Sequence, residues 1–188
     1  MDLPRNHFSW SQLSLWESSP KAYVDRYIHN KPMFETKALL YGKKFADDME
    51  ALESDDPVIE NMIQKVPRGV VREFEIRADF EGIELIGYED ADAIGGFIEY
   101  KTGPKPWDQD RADNHGQLHF YALIRKLIGI SCTNAELVWL PTDGTKFTGE
   151  VKIFEVSITE KQIENIKKRI SKAIKEIKEY KIKGSITI

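Results

Sequence analysis

One cysteine, Cys132, in 188 residues excludes an internal disulfide framework. It equally excludes an iron–sulfur cluster or a zinc site held by the cysteines of one chain. Long apolar runs are missing too, since none approaches the roughly 20 residues that a helix needs to cross a bilayer. The opening residues, MDLPRNHFSW, carry no apolar stretch of the kind that marks a secretory signal. The expectation is a cytoplasmic protein with no membrane attachment. Positive charge is not in excess. Lys and Arg total 27 against 31 Asp and Glu, a net charge of −4, which does not describe a constitutive DNA-coating protein. Nor does it speak against a site whose bound cations reverse the local sign. Acid gathers in residues 35–60 and lysine in 161–183. Internal repeats, low-complexity tracts and Pro/Gly-rich linkers are absent, so residues 1–188 are expected to form one domain.

What is present reads as alternating helical and extended segments. Leu13, Leu15 and Trp16 follow a Ser, and Ser18-Ser19-Pro20 interrupts them, which predicts helices over about 9–17 and 21–27. Leu40, Phe45, Met49 and Leu52 hold near-helical spacing over 37–53. From Val70 the period changes to two. VVREFEIRADF, IELIGYEDADA and FIEYKTG are three strands separated by Glu81-Gly82 and Gly95-Gly96, an antiparallel meander. Pro104, Pro106 and Trp107 mark a loop, and one helix is expected from Asp110 to Leu127. NAELVWLP, Asn134–Pro141, is nearly all apolar and so expected to be covered on both faces. After a turn over Thr142–Gly149 comes a strand in EVKIFEVSI. Thr159 then caps a long helix with Ile163, Ile166, Ile170, Ala173, Ile174 and Ile177 in helical period. The expected fold class is α/β, a mixed central β-sheet flanked by helices.

The chemistry concentrates in GYEDADAIGGFIEYKTG, Gly87–Gly103. Asp90 lies near the end of one strand, and Glu99-Tyr100-Lys101 lies on the next. Residues two apart on a strand share a face, so Glu99 and Lys101 point the same way. Hairpin partners about 5 Å apart bring Asp90 toward Glu99. Two carboxylates and an ammonium at one spot suit phosphodiester hydrolysis. The carboxylates supply hard oxygen ligands for Mg²⁺ or Mn²⁺, and the ammonium orients water or steadies developing negative charge. An acid and a base two apart on a strand are, taken alone, most often a solvated face.

Gly87-x-x-Asp90 followed by Glu99-Tyr100-Lys101-Thr102-Gly103 resembles the core of the PD-(D/E)XK nuclease superfamily, in its RecB-type branch with CRISPR-associated and phage relatives. There, GxxD, a hairpin and (D/E)YKTG precede a helix bearing QxxxY. Gln117 and Tyr121 match that helix motif sixteen residues after Lys101. The segment SWSQLSLWESSPKAYVDRYI is also similar to the branch's N-terminal helices.

The resemblance implies a restriction-endonuclease-like fold and a Mg²⁺- or Mn²⁺-dependent deoxyribonuclease, an exonuclease in DNA processing, recombination or phage DNA metabolism. It implies Asp90, Glu99 and the Tyr100 carbonyl as metal ligands and Lys101 as catalytic lysine. Gln117 and Tyr121 would touch DNA or support that lysine, and DNA plus recombination or replication proteins would be the partners. An iron–sulfur cluster is not expected. One departure stands out. Where the branch carries a GxxxH histidine ligand, this chain has Gly42-Lys43-Lys44-Phe45-Ala46, so water or a carboxylate such as Asp47 or Glu50 must fill that place. The alternative is a catalytically weakened or inactive DNA-binding or assembly module of the same fold. Glu73 or Glu75 could supply an additional carboxylate from the preceding strand, although each reads more readily as a solvated strand residue. His115 and His119 read as two surface histidines on one helix, and the lysine-rich terminal helix as a solvated amphipathic face.

Overall fold

A computed structural model describes residues 3–32, 36–69, 72–143 and 146–185, apart from the side chains of 37, 38, 72 and 181–185. The expected strand start at Val70 and Val71, and part of the Thr142–Gly149 turn, lie outside the described residues. A six-stranded mixed sheet forms the centre, with helices against both faces. Its strands are β1 (His7–Ser9), β2 (Arg72–Phe80), β3 (Ile83–Ala93), β4 (Gly96–Gly103), β5 (Asn134–Pro141) and β6 (Lys152–Ser157). As the Gly turns predict, β2, β3 and β4 run antiparallel. β4 then pairs in parallel with β5, and β6 pairs antiparallel with β5.

β3 divides its edges unequally, and this division positions the site. β2 follows one edge from Ile83 to Ala91. The other edge is shared: β1 pairs in parallel with 84–86, and β4 pairs only with 91–93. Gly87–Asp90 therefore face a gap between two partners.

Helices α1 (Trp10–Ser18), α6 (Gly116–Leu127) and α7 (Glu160–Ser185) cover one face, and α3 (Lys37–Ala51) and α4 (Pro57–Ile63) the other. Between α1 and α3 runs α2 (Pro20–Tyr23), continued by a π turn over Val24–Ile28. On β5, Leu137 and Trp139 join the first core while Val138 and Leu140 join the second. That alternation is why NAELVWLP carries so little polarity. Helix α4, unexpected from the apolar spacing, has its start written in Asp56-Pro57. The Asp56 carboxylate accepts from the Val58 amide at 2.8 Å, and proline suits the first helical position. Thr159 caps α7 as expected, in a reciprocal arrangement: its hydroxyl accepts from the Gln162 amide while Gln162 Oε1 accepts from the Thr159 amide.

The helix expected from Asp110 to Leu127 is two helices, α5 (Gln109–Asp113) and α6, broken at Asn114-His115. The reason is packing. A Cβ on Gly116 would fall 2.5 Å from the Trp10 ring, so a weak helix former occupies the junction and the chain restarts there.

Inside the first core, Arg125 is 2% exposed and Glu89 fully buried. Arg125 donates through Nε to Glu89 at 2.7 Å and through Nη2 to both Glu89 and Asp92. This ties α6 to β3 beside the gap. Removing one partner of such a pair strands a buried charge, whereas replacing both with apolar groups is far milder. Arg125→Met is expected to lower unfolding stability by about 3–5 kcal/mol, with Glu89→Leu in the same chain restoring most of it. Urea melts of the three chains check this, and an undiminished midpoint for Arg125→Met alone would contradict it.

Candidate active site

At the gap, β4 leaves β3 to run along β5. The recorded β3–β4 pairing ends at Ala91 and Ile98, one step short of Asp90 and Glu99. Instead of a ladder bond, the Tyr100 amide donates to the Asp90 carboxylate at 2.6 Å. Gly87 allows α6 to approach the same spot, because a Cβ there would lie 2.7 Å from the Tyr121 ring. That requirement accounts for the glycine three residues before Asp90.

Glu99 and Lys101 share a face, as strand alternation predicts. Lys101 Nζ donates to Glu99 Oε1 at 2.5 Å and to Gln117 Oε1 at 2.8 Å. Gln117 Nε2 donates to Glu99 Oε1 at 2.6 Å and to the Tyr121 hydroxyl at 3.0 Å. Gln117, Tyr121 and Arg125 stand four residues apart on α6, one face of the helix. The structure thus brings Asp90, Glu99, Tyr100, Lys101, Gln117 and Tyr121 together.

Burial makes this cluster electrostatically tense. Glu99 is 3% exposed, and its Oε2 has no hydrogen-bond partner among the described residues. Burial raises its proton affinity against the pull of Lys101. Burial first, then the charge of Glu99, pushes the Asp90 carboxyl up to about 8, although the Tyr100 amide and Lys101 draw it down. Tyr121 stays a neutral phenol, held up by burial and by Glu99.

On the α3 side a small cleft of about 30 Å³ is lined by Ala46, Met49, Glu50, Glu73, Asp90 and Tyr100. Gly42, Ala46 and Glu50 fall on one helical face, and Gly42 lies against Thr102, where a Cβ would sit 3.3 Å from the hydroxyl. Ala46 therefore faces Asp90, and Glu50 rather than Asp47 lines the cleft with it. Glu73 lines it as well, from a backbone in the left-handed region (φ 46°) that an L residue adopts at a cost of roughly 1–3 kcal/mol. Glu73 is exposed, as expected of a solvated strand residue, and it also stands where an additional carboxylate from this strand was expected. Glu75 is indeed exposed and paired with Arg77 at 2.6 Å.

Two histidine expectations are corrected. His119 is 7% exposed, its Nε2 2.9 Å from the Asp113 carbonyl oxygen. His115 is half-buried between Trp10 and Trp107, with ring centroids 5.9 and 5.0 Å away. Burial, then the charge of Lys101, pushes its imidazole down to about 3. Neither is a surface residue: His115 sits between two indole rings and His119 against the Asp113 carbonyl. Among the described residues, no three His, Cys, Asp or Glu side chains converge as a ready-made metal cage.

A family model of the PD-(D/E)XK nuclease superfamily matches residues 33–185. The chain belongs to that superfamily. The match leaves out the N-terminal helices, whose likeness to the RecB-type branch it does not cover. No curated protein matches the chain. Among solved structures, a protein described as an exonuclease from Eubacterium rectale superposes with a TM-score of 0.63 at 10% identity, covering 92% of this chain and 82% of that one. The alkaline exonuclease LHK-Exo of Laribacter hongkongensis gives 0.55 at 12% identity, over 96% of this chain and 94% of its own. The same exonuclease in complex with dAMP gives 0.57 at 12%, over 98% and 96%. Identities this low establish the shared fold alone. Among the described residues no helix is long and apolar enough to cross a membrane.

The raised proton affinity of Asp90 has a stability consequence with a definite sign. Between its ordinary value of 3.8 and about 8, the folded chain keeps a proton that the unfolded chain has released. Stability from this group is therefore full below about pH 4 and is lost as pH rises toward 8. In EDTA, Asp90→Asn should unfold at a higher temperature than wild type at pH 8, with the gain vanishing near pH 4. Thermal melts across that range check it, and a difference independent of pH would contradict it.

Proposed function

We propose that residues 1–188 work as one domain, a Mg²⁺- or Mn²⁺-dependent deoxyribonuclease acting as an exonuclease. The observation that carries this reading is the Oε2 of Glu99, without a hydrogen-bond partner among the described residues and buried beside an Asp90 carboxyl whose ionisation that neighbouring charge opposes. A divalent cation answers both deficits, and the all-oxygen donor set suits a hard ion. Asp90, Glu99 and the Tyr100 carbonyl would hold it, with water in the place where Ala46 offers no ligand and Glu50 and Glu73 close by. When bound, such an ion supplies charge neutralisation at the scissile phosphate and an acidified water.

The chain's own groups do the positioning. An ammonium has three N–H donors. Two of those on Lys101 are engaged by Glu99 and Gln117, which aims the third outward at a phosphate oxygen or the attacking water. Gln117 is held through both ends of its amide, so the lysine has little freedom to wander. Charge that is already in place when negative charge develops costs no reorganisation at the moment of reaction.

Ala46 in the cleft favours a second reading, a weakened or inactive DNA-binding module of the same fold. Lys101→Ala separates the two. The nuclease predicts kcat lower by a factor of about 10² to 10³ at nearly unchanged KM. The binding module predicts only weaker DNA affinity, with the salt dependence reduced by about one unit of slope. A variant that cleaves like wild type would remove Lys101 from the chemistry. Ala46→His should tighten Mn²⁺ binding in calorimetric titration, and unchanged affinity would mean that this position does not reach the ion.

A further inference from the structure

Charge on the outer side of α7 is distributed unlike that of the rest of the chain. The isoleucines from Ile163 to Ile177 bury its inner side in the first core. Lys161, Lys168, Lys172 and Lys175 are exposed on the side opposite. Lys161, Lys168 and Lys175 are each two helical turns apart, so they stand about 10.5 Å from one another in a straight row about 21 Å long. The acids around them are already engaged. Glu160 accepts from Lys126, Glu164 from Lys167, and Glu17 from Arg169. Glu176 takes the Trp16 indole N–H at 2.9 Å and lies 3.8 Å from Lys172. Among the described residues, Lys161, Lys168 and Lys175 have neither an ion pair nor a hydrogen bond. On their line the first acid is Glu179, one turn beyond Lys175. In a chain of net charge −4, this row is a local reversal of sign.

The spacing selects the class of ligand. Ammonium groups about 10.5 Å apart on one rigid helix cannot close on a single small anion. The ligand must carry charge repeatedly along its length. Lysine presents a point charge, without the planar fork that arginine uses to read a carboxylate or a guanine edge. Such a row suits a repeating anion gripped irrespective of sequence, and a nucleic-acid backbone is that anion. A straight row also favours a stiff partner, and duplex DNA stays straight over far more than about 21 Å. Two other partners fit less well. A helix on an anionic membrane sinks its apolar face among the lipids, and here that face lies in the core. Protein interfaces are anchored by aromatic residues or arginine and are poor in lysine. The row contains no aromatic residue and no arginine.

The inner side of α7 crosses the start of α6. A Cβ on Gly116, the residue before Gln117, would fall 2.7 Å from the Arg169 guanidinium, and Gln162 donates to the Asp113 carbonyl at 3.0 Å. The lysine row is on the other side of that helix, away from the Lys101 network. We propose that Lys161, Lys168 and Lys175 hold the backbone of double-stranded DNA outside the active site, a sequence-independent grip on the flank of a long substrate. That the polyanion is DNA rests on the nuclease reading; that the row takes a polyanion rests on its unpaired charges alone.

The test is anisotropy of a fluorescein-labelled thirty-base-pair duplex across a salt series, in EDTA so that nothing is cut. One variant carries Lys161→Gln, Lys168→Gln and Lys175→Gln together, since glutamine matches lysine closely in helix propensity. The control carries Lys31→Gln, Lys44→Gln and Lys152→Gln. It has the same net charge, but each of its lysines already pairs with an acid. The row variant should bind the duplex more weakly and lose roughly 2.7 from the slope of log K against log salt, about 0.9 per lysine. The control should lose less than about one. Melting curves verify that both variants fold. An unchanged slope in the row variant, an equal loss in the control, or no duplex binding by wild type would overturn the proposal. Phosphatidylserine vesicles that bind wild type through the row, with duplex binding unaffected by it, would assign the row to a membrane surface instead. A separate cleavage assay with Mn²⁺ keeps the two readings apart. Cleavage by wild type, with a row variant that binds duplex like wild type, removes the row and spares the nuclease. Duplex binding that depends on the row, without cleavage in any divalent metal, does the reverse.

Discussion

Where β4 parts from β3, the Tyr100 amide takes the Asp90 carboxylate in place of a strand partner. The rest of the site depends on that exchange. A strand that stayed in register would satisfy its own backbone and hold Asp90 among ladder residues. The departure toward β5 uses a carboxylate as a backbone acceptor and opens the sheet at the level of Glu99. Among the described residues the fork also leaves Gly87–Asp90 without strand partners on one edge, and α6 sets Tyr121 over the face of Gly87 beside it.

Holding that arrangement together requires charge to be buried, and the chain does so unevenly. Arg125, Glu89 and Asp92 form a buried set in which the guanidinium is answered by two carboxylates. A few residues away, Asp90 and Glu99 share a single ammonium, and one carboxylate oxygen has no hydrogen-bond partner among the described residues. The first set stabilises the join between α6 and β3. The second is short of positive charge, and burial makes that shortage costly. Groups kept in such an environment destabilise the metal-free fold, and that tension is the physical content of calling the cluster a candidate active site.

Much of this was legible in the sequence, for reasons that particular residues make plain. Strand alternation alone places Glu99 and Lys101 on one face. Glycine turns specify the meander, and the apolar run Asn134–Pro141 specifies a strand covered on both sides. The family's spacing anticipates Gln117 and Tyr121 beside Lys101. What escaped was decided by contacts between segments distant in sequence. Trp10 packs against Gly116 where the expected long helix is interrupted, and His115 lies between Trp10 and Trp107. Arg125 is an ordinary helix cation on the page; its burial against Glu89 emerges only once α6 lies on β3.

The central claim is that Asp90 and Glu99 form a cation-dependent centre for cutting DNA. Single-turnover cleavage of end-labelled linear DNA by wild type and by Glu99→Gln, each with Mn²⁺ and with EDTA, tests it most directly. Glutamine keeps the size and one acceptor oxygen of Glu99 while removing its charge. The account predicts cleavage by wild type with Mn²⁺ alone, and none by a Glu99→Gln protein that folds normally. Cleavage by Glu99→Gln at the wild-type rate, or by wild type equally well in EDTA, would contradict it.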